Sequence, residues 1–216
     1  MKTTVILFIL TFGILIYANT CGGISKDNSP EMQWWNSLNE TWQIVFLREI
    51  DKIGEKPSEE DLLQILNLES VSCDHFPLGE SNLDPLRSLK RLKSISAGST
   101  YITSIDALSD LDSLEFVNLA ATSIANIEAL RGHSNLESVY LQQTLVTDLS
   151  PLKDKDKLQV VVFSETDISS ILPLMELPIL SIVSFSTTKV PEEQIIKFME
   201  KHKDCEIGFD SGRSSD

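Results

Sequence analysis

The chain has 216 residues, 42% of them apolar, and a formal charge of −14 from 32 acidic against 18 basic side chains. That length suits one domain, or one solenoid with a cap at each end, and the apolar content suffices for a continuous core. The charge argues against nucleic acid and against electrostatic adhesion to anionic membranes, because phosphate binding needs a basic surface; it implies instead a solvated acidic exterior.

Residues 1–20 read as a signal peptide. Lys2 supplies the positive start, and Val5 to Tyr17 form an apolar run shorter than the ~20 residues of a spanning helix. Ala18-Asn19-Thr20-Cys21-Gly22-Gly23 follows. Cys21 in that setting resembles the acylated cysteine of a bacterial lipoprotein, which would make it the anchor. Asn19 and Thr20 only approximate the small residues expected before such a cysteine, so cleavage near Ala18 or Thr20 without lipid is the alternative. Residues 21–30, rich in Gly, Ser, Asp and Asn, read as a flexible tether.

Residues 31–61 read as an N-terminal helical cap. Trp35, Leu38, Trp42, Val45, Phe46 and Ile50 keep helical spacing and predict one helix over 31–56, ended by Gly54. Ser58 then suits an N-cap with Asp61 in the capping-box position, opening a short helix at Glu59. Trp34, Trp35 and Trp42 are either a stacking platform for a ligand or a lid over the open end of the first repeat; solenoids need such lids.

Residues 62–190 read as repeats, and from Leu83 to Val190 the apolar positions fall in columns with a period of 22 residues. One column is Leu86, Leu108, Leu130, Leu152, Leu174; another is Leu92, Leu114, Leu136, Leu158, Leu180. Ile95, Val117, Val139, Val161, Val183 come next, then Ala97, Leu119, Leu141, Phe163, Phe185. Later columns are Ile102, Ile124, Val146, Ile168, Val190, and Ile105, Ile127, Leu149, Ile171. A drifting 3.6 period would mark a helix; a pattern that resets at a fixed interval marks a solenoid. Leu62, Ile65, Leu68, Val71, Cys73 and Leu78 form a degenerate unit ahead of these, with Phe76 in the Thr column described below and a two-residue insertion in the 76–84 loop.

This L-x-x-L-x-L pattern resembles the short class of leucine-rich repeats found in bacterial internalin-like proteins. The usual asparagine after the strand is here Thr100, Thr122, Thr144, Thr166 and Thr188, which resembles repeats of secreted and surface proteins of Gram-negative, Bacteroides-like bacteria. A Thr hydroxyl does part of the asparagine's work of bonding the turn's backbone. The resemblance implies an α/β fold: a right-handed solenoid of about six units with a parallel concave sheet, an N-terminal helical cap and a C-terminal helix–strand cap. Strands are predicted at Val71, Ile95, Val117, Val139, Val161 and Val183, joined on the convex side by short 3₁₀ or helical turns. His133 and Lys155 stand where Leu89, Leu111 and Leu177 stand in other units, which predicts a looser convex side there.

Residues 191–209 read as the C-terminal cap. Pro191 fits the first helical position; Ile195, Ile196, Phe198 and Met199 give the helix an apolar face, and Cys205 to Phe209 complete the sheet edge. Residues 210–216 read as a disordered tail. With Cys21 lipidated, Cys73 and Cys205 remain at opposite ends of the solenoid, too far apart to pair.

No catalytic constellation stands out, so no enzyme and no cofactor are predicted. His75, His133 and His202 fall in different units, and neither Cys73-x-His75 nor His202-x-x-Cys205 has a second ligand pair nearby. Gly98 implies a turn and nothing more. Carboxylates such as Glu165 and Asp167 do not recur at each turn, which argues against a calcium solenoid.

Strand residues alternate between core and concave face. The outward residues are Ser70/Ser72, Ser94/Ser96, Phe116/Asn118, Ser138/Tyr140, Val160/Val162 and Ile182/Ser184. Phe116, Asn118, Tyr140, Val160, Val162 and Ile182 are the predicted partner-binding residues, with Phe116 and Tyr140 at equivalent or near-equivalent positions on adjacent strands. An apolar cluster facing solvent marks a partner site or only the strand preference of β-branched residues. The sequence thus reads as an exported, lipid-anchored, monomeric leucine-rich-repeat protein of the Gram-negative cell envelope. It binds a protein, rather than a glycan or nucleic acid, and meets the membrane only through Cys21. The rival reading is a structural or self-associating envelope protein.

Overall fold

The computed structural model describes residues 29–79 and 83–208; the expected signal peptide, Cys21, most of the expected tether and the expected tail lie outside them. Seven parallel strands form one sheet in sequence order: β1 Ser70–Ser72, β2 Ser94–Ser96, β3 Phe116–Asn118, β4 Ser138–Tyr140, β5 Val160–Val162, β6 Ile182–Ser184 and β7 Glu206–Gly208. In β1 to β6 the central β-branched residue points inward and is buried, while its neighbours face out. On the other side run 3₁₀ turns at Asp84–Ser88, Asp106–Leu108, Glu128–Leu130, Ser150–Leu152 and Leu172–Leu174. The column residues between these layers form one continuous core. Leu114, Val117, Leu119, Leu136, Val139 and Leu141 are fully buried.

Each unit leaves the sheet by the same device. Ser99, Ala121, Gln143, Glu165 and Thr187 adopt left-handed backbone with φ of 55–57°. None is glycine, so each carries about 1–2 kcal/mol of strain. In the first four the N–H of that residue donates to a carbonyl of the next rung: Ser99 to Ala120, Ala121 to Gln142, Gln143 to Ser164 and Glu165 to Ser186, at 2.8–3.0 Å. The next residue is the ladder threonine. Its Oγ1 donates to the carbonyl three residues back, at 2.7 Å in Thr100, Thr122, Thr144 and Thr166 and 2.8 Å in Thr188.

The N-terminal cap is three helices, α1 Pro30–Ser37, α2 Glu40–Glu49 and α3 Glu59–Leu66. The single helix expected over 31–56 is broken because Leu38 is extended and Asn39 caps α2, its side chain accepting the Trp42 N–H at 3.0 Å. Asp51, in left-handed backbone, closes α2 before Gly54 is reached. The capping box at Ser58 and Asp61 forms as predicted. Lys52 bonds the Asp61 carboxylate at 2.6 Å; that bond, with those from Ser58, holds the carboxyl down at about 2. Trp42 and Trp35 are buried as a lid, and Trp34 lies 5.5 Å from Phe46. The free edge of β1 is closed by α2: Glu49 accepts the Ser72 N–H at 3.3 Å, and Arg48, stacked 4.7 Å over Phe76, donates to the Ser72 carbonyl.

At the other end α4 Glu192–Lys201 packs Phe198 into the core, with Pro191 as its N-cap rather than its first residue. Gln194 Oε1 accepts the Ile171 N–H at 3.0 Å, binding α4 to the last 3₁₀ turn. The expected apolar face is only half used: Ile195 packs on the core, but Ile196 and Met199 stay 49% and 45% exposed. Residues 195, 198 and 202 share one side of the helix, and residues 196 and 199 lie on another. Among the described residues β7 pairs with β6 alone.

The convex side is not loose at the two departures from leucine. His133 and Lys155 are 1% and 3% exposed. His133 Nε2 donates to the Leu108 carbonyl at 2.9 Å, and Lys155 Nζ to the Arg131 carbonyl at 2.6 Å. Each polar tip reaches back one unit to a carbonyl near the end of the preceding 3₁₀ turn, so the column stays filled.

Candidate protein-binding face

The outward sheet face divides in two. Over β1–β3 it is a closed polar network. Ser96 Oγ donates to Asp74 at 2.6 Å, Ser72 Oγ donates to it at 3.2 Å, and the Gly98 N–H also donates to the carboxylate. Asn118 Nδ2 donates to Ser96 Oγ at 2.8 Å, while Asn118 Oδ1 accepts the Ala120 N–H at 3.0 Å. Gly98 therefore does more than turn: a Cβ there would lie 3.1 Å from Asp74 Oδ1 and 3.3 Å from the Ala120 carbonyl. Asn118, predicted to meet a partner, has both ends of its amide engaged inside the protein.

Over β3–β6 the face is apolar. Phe116, Tyr140, Val160 and Val162 are half-buried, and Ile182 is 38% exposed. The two aromatic rings touch, with centroids 5.4 Å apart and planes tilted by 43°. They are not opposite one another. Phe116 pairs with Ser138, and Asn118 pairs with Tyr140, so the rings meet on a diagonal, still within reach of aromatic side chains. Across the next steps Tyr140 pairs with Val162, and Val160 with Ile182. The cluster is thus contiguous from Phe116 to Ile182, and Asn118 belongs to the polar half.

Several groups at this face escape the strand alternation. Glu115 and Glu137 each precede a strand and stack in register, the Glu137 N–H donating to the Glu115 carbonyl at 2.7 Å. Gln142, two residues past Tyr140, has a buried Oε1 with no donor among the described residues. Tyr101 and Leu145, each next after a ladder threonine, are 73% and 61% exposed, and Tyr101 lines a depression with Ser99, Ala121, Ser123 and Gln143. The columns beside the core columns hold these residues, but their types vary from unit to unit, so periodicity does not single them out.

Cys73 and Cys205 are both free, beside the first and last strands at opposite ends of the sheet. Burial pushes the Cys73 thiol up to about 12. Among the described residues no group of three or more His, Cys, Asp or Glu side chains is placed to hold a metal ion, and no helix is long and apolar enough to cross a membrane.

The repeating strand, ladder threonine and 3₁₀ turn make this protein a leucine-rich-repeat solenoid. No protein-family profile matches the sequence, and no curated protein does. Solved structures do resemble it. An internalin (inlF) from Listeria monocytogenes superposes with a TM-score of 0.59 at 16% identity, over 84% of this chain and 57% of that one. Internalin C2 from the same species gives 0.64 at 15% identity, over 79% and 93%. A leucine-rich-repeat protein of Leptospira interrogans gives 0.57 at 14% identity, over 69% and 45%. The chain therefore spans little more than half of the first of these proteins and less than half of the last. At such identities the likeness is one of fold.

Proposed function

We propose that this is an exported leucine-rich-repeat protein that binds a protein partner through the apolar half of its concave face. It is monomeric and anchored in a Gram-negative envelope by lipid on Cys21. The observation that carries the reading is the contiguous patch of Phe116, Tyr140, Val160, Val162 and Ile182, held on a rigid sheet and turned away from the core. Aromatic anchors bring large contact area with few rotors to freeze. Tyr140→Ala is expected to weaken partner capture from the native envelope by at least about 2 kcal/mol. Its melting temperature should fall by a few degrees at most, since the lost ring contact is worth about 0.5–1.5 kcal/mol. Ser94→Ala on the polar half is the control and should do neither. Unchanged capture by Tyr140→Ala refutes the assignment. The anchor has its own test: Cys21→Ser should release the protein from membranes, and a wild type that is already soluble refutes it. Stable anchoring needs more than one acyl chain.

A second reading, self-association, is favoured by the outer edge of β7, unpaired among the described residues, and by Ile196 and Met199 exposed on α4. Light scattering of the purified protein separates the two, because a monomer at high concentration is incompatible with it.

A further inference from the structure

Resting on the concave-face reading, we infer the partner's chemistry: a basic protein segment that seats a lysine or arginine beside the Phe116–Tyr140 pair and apolar side chains over Val160, Val162 and Ile182. The residues that enter each strand form a column of their own: Glu69, Lys93, Glu115, Glu137, Gln159 and Ser181. Their backbones are bonded rung to rung, each N–H to the preceding carbonyl at 2.7–2.8 Å. Side chains one step apart in such a column are about 4.8 Å apart along the sheet. The first step is neutralised within the protein, where Lys93 and Arg91 both bond Glu69, at 2.8 and 2.7 Å. The last two positions are uncharged. Between them Glu115 and Glu137 are two like charges on neighbouring rungs, an arrangement that destabilises a sheet. Among the described residues no cation forms an ion pair with either. Lys93 feels the Glu115 charge, but its ammonium is already bonded to Glu69.

These two carboxylates are also next in sequence to the apolar patch, Glu115 to Phe116 and Glu137 to Ser138 on the strand of Tyr140. Carboxylates and aromatic ring faces attract the same thing, a cation. A generally acidic exterior accounts for scattered exposed carboxylates, but not for like charges stacked in the one strand-entry column at the rungs that carry the aromatic rings. An acidic segment would meet repulsion at this rim, and a neutral one would leave both carboxylates without an opposite charge.

The test pans a random dodecapeptide phage library on the purified protein and counter-selects on Tyr140→Ala, keeping clones that need Tyr140. These clones should be enriched in Lys and Arg together with Leu, Phe or Trp relative to the naive library. A synthetic peptide from the leading clone, followed by fluorescence anisotropy, should bind the Glu115→Gln/Glu137→Gln double variant about 3-fold or more weakly, as expected for two rim charges. It should also weaken as salt rises from about 0.05 to about 0.5 M. Tyr140-dependent clones without basic enrichment, or with affinity unchanged by the double substitution, overturn the charge inference and leave the concave-face reading standing. A selection yielding binders of which none needs Tyr140 overturns both. Both glutamates lie outside the core, so unchanged melting of the double variant excludes unfolding as the cause.

Discussion

Replacing the ladder threonine of the central unit, Thr144→Val, isolates one hydroxyl. Thr144 is 5% exposed; its Oγ1 donates to the Leu141 carbonyl at 2.7 Å and lies 3.4 Å from the Val146 N–H. Valine has the same shape, so the cavity stays filled and only the polar bonds change. A lost hydrogen bond costs about 0.5–1.5 kcal/mol net, rising to about 1–3 where a buried carbonyl is left without its donor. The added methyl returns up to about 0.8 kcal/mol. The expected cost is therefore about 1–2 kcal/mol, or a fall of about 2–8 °C in Tm for a chain of this size. Thr144→Ser keeps the bond and should lose less.

The assay is urea unfolding read by two probes. Trp34, Trp35 and Trp42 all sit in the N-terminal cap, so fluorescence reports that end, while far-UV circular dichroism reports the whole stack. Solenoid stability is a sum of units and nearest-neighbour interfaces, so weakening the middle rung should also separate the two transitions. A valine variant as stable as wild type, or a serine variant less stable than valine, would refute the account of the ladder, because methyl packing and not the hydroxyl would then hold the turn.

Gly98→Ala should destabilise by about 1–3 kcal/mol in the same assay, because a Cβ would press on the Asp74 carboxylate and the Ala120 carbonyl. His133→Leu should stabilise by about 0.5–2 kcal/mol, since it restores the residue that its column carries elsewhere and removes a buried Nδ1 without a partner. The same substitution should flatten a pH dependence. Burial holds the His133 imidazole below its ordinary value of about 6.5, with nearby Lys155 opposing its charge. Its folded pKa thus lies below the unfolded one, so wild-type stability is full above about pH 6.5 and declines as pH falls below it. Native alkylation near pH 8 should leave Cys73 unmodified, given its raised thiol pKa, and non-reducing mass spectrometry should find no Cys73–Cys205 peptide.

The period made the sheet legible because each rung repeats the same packing problem. Val117, Val139 and Val161 solve it with one residue type, so their columns predict strand centres, ladder bonds and core together. What repeats once, or never, was not legible. The Leu38–Asn39 break depends on one side-chain cap that competes with an otherwise continuous apolar pattern. His133 and Lys155 read as interruptions because burial of a polar tip depends on a carbonyl in the preceding unit, which no local pattern reports.

The candidate site shows the same division more sharply. Alternation alone placed Phe116, Asn118, Tyr140, Val160, Val162 and Ile182 on one face, and they are on it. Alternation carries no information about what each polar group bonds to, and here that distinction decides the site. Asn118 spends its amide on Ser96 and Ala120, so it stiffens the boundary of the patch rather than offering donors to a partner. Glu115 and Glu137 are the reverse case: they lie in a column that the strand pattern passes over, and among the described residues no cation forms an ion pair with either. A solenoid fixes its core by repetition, so individuality is confined to positions that repetition leaves free. On the proposed reading a partner is recognised there, by residues that break the column they stand in.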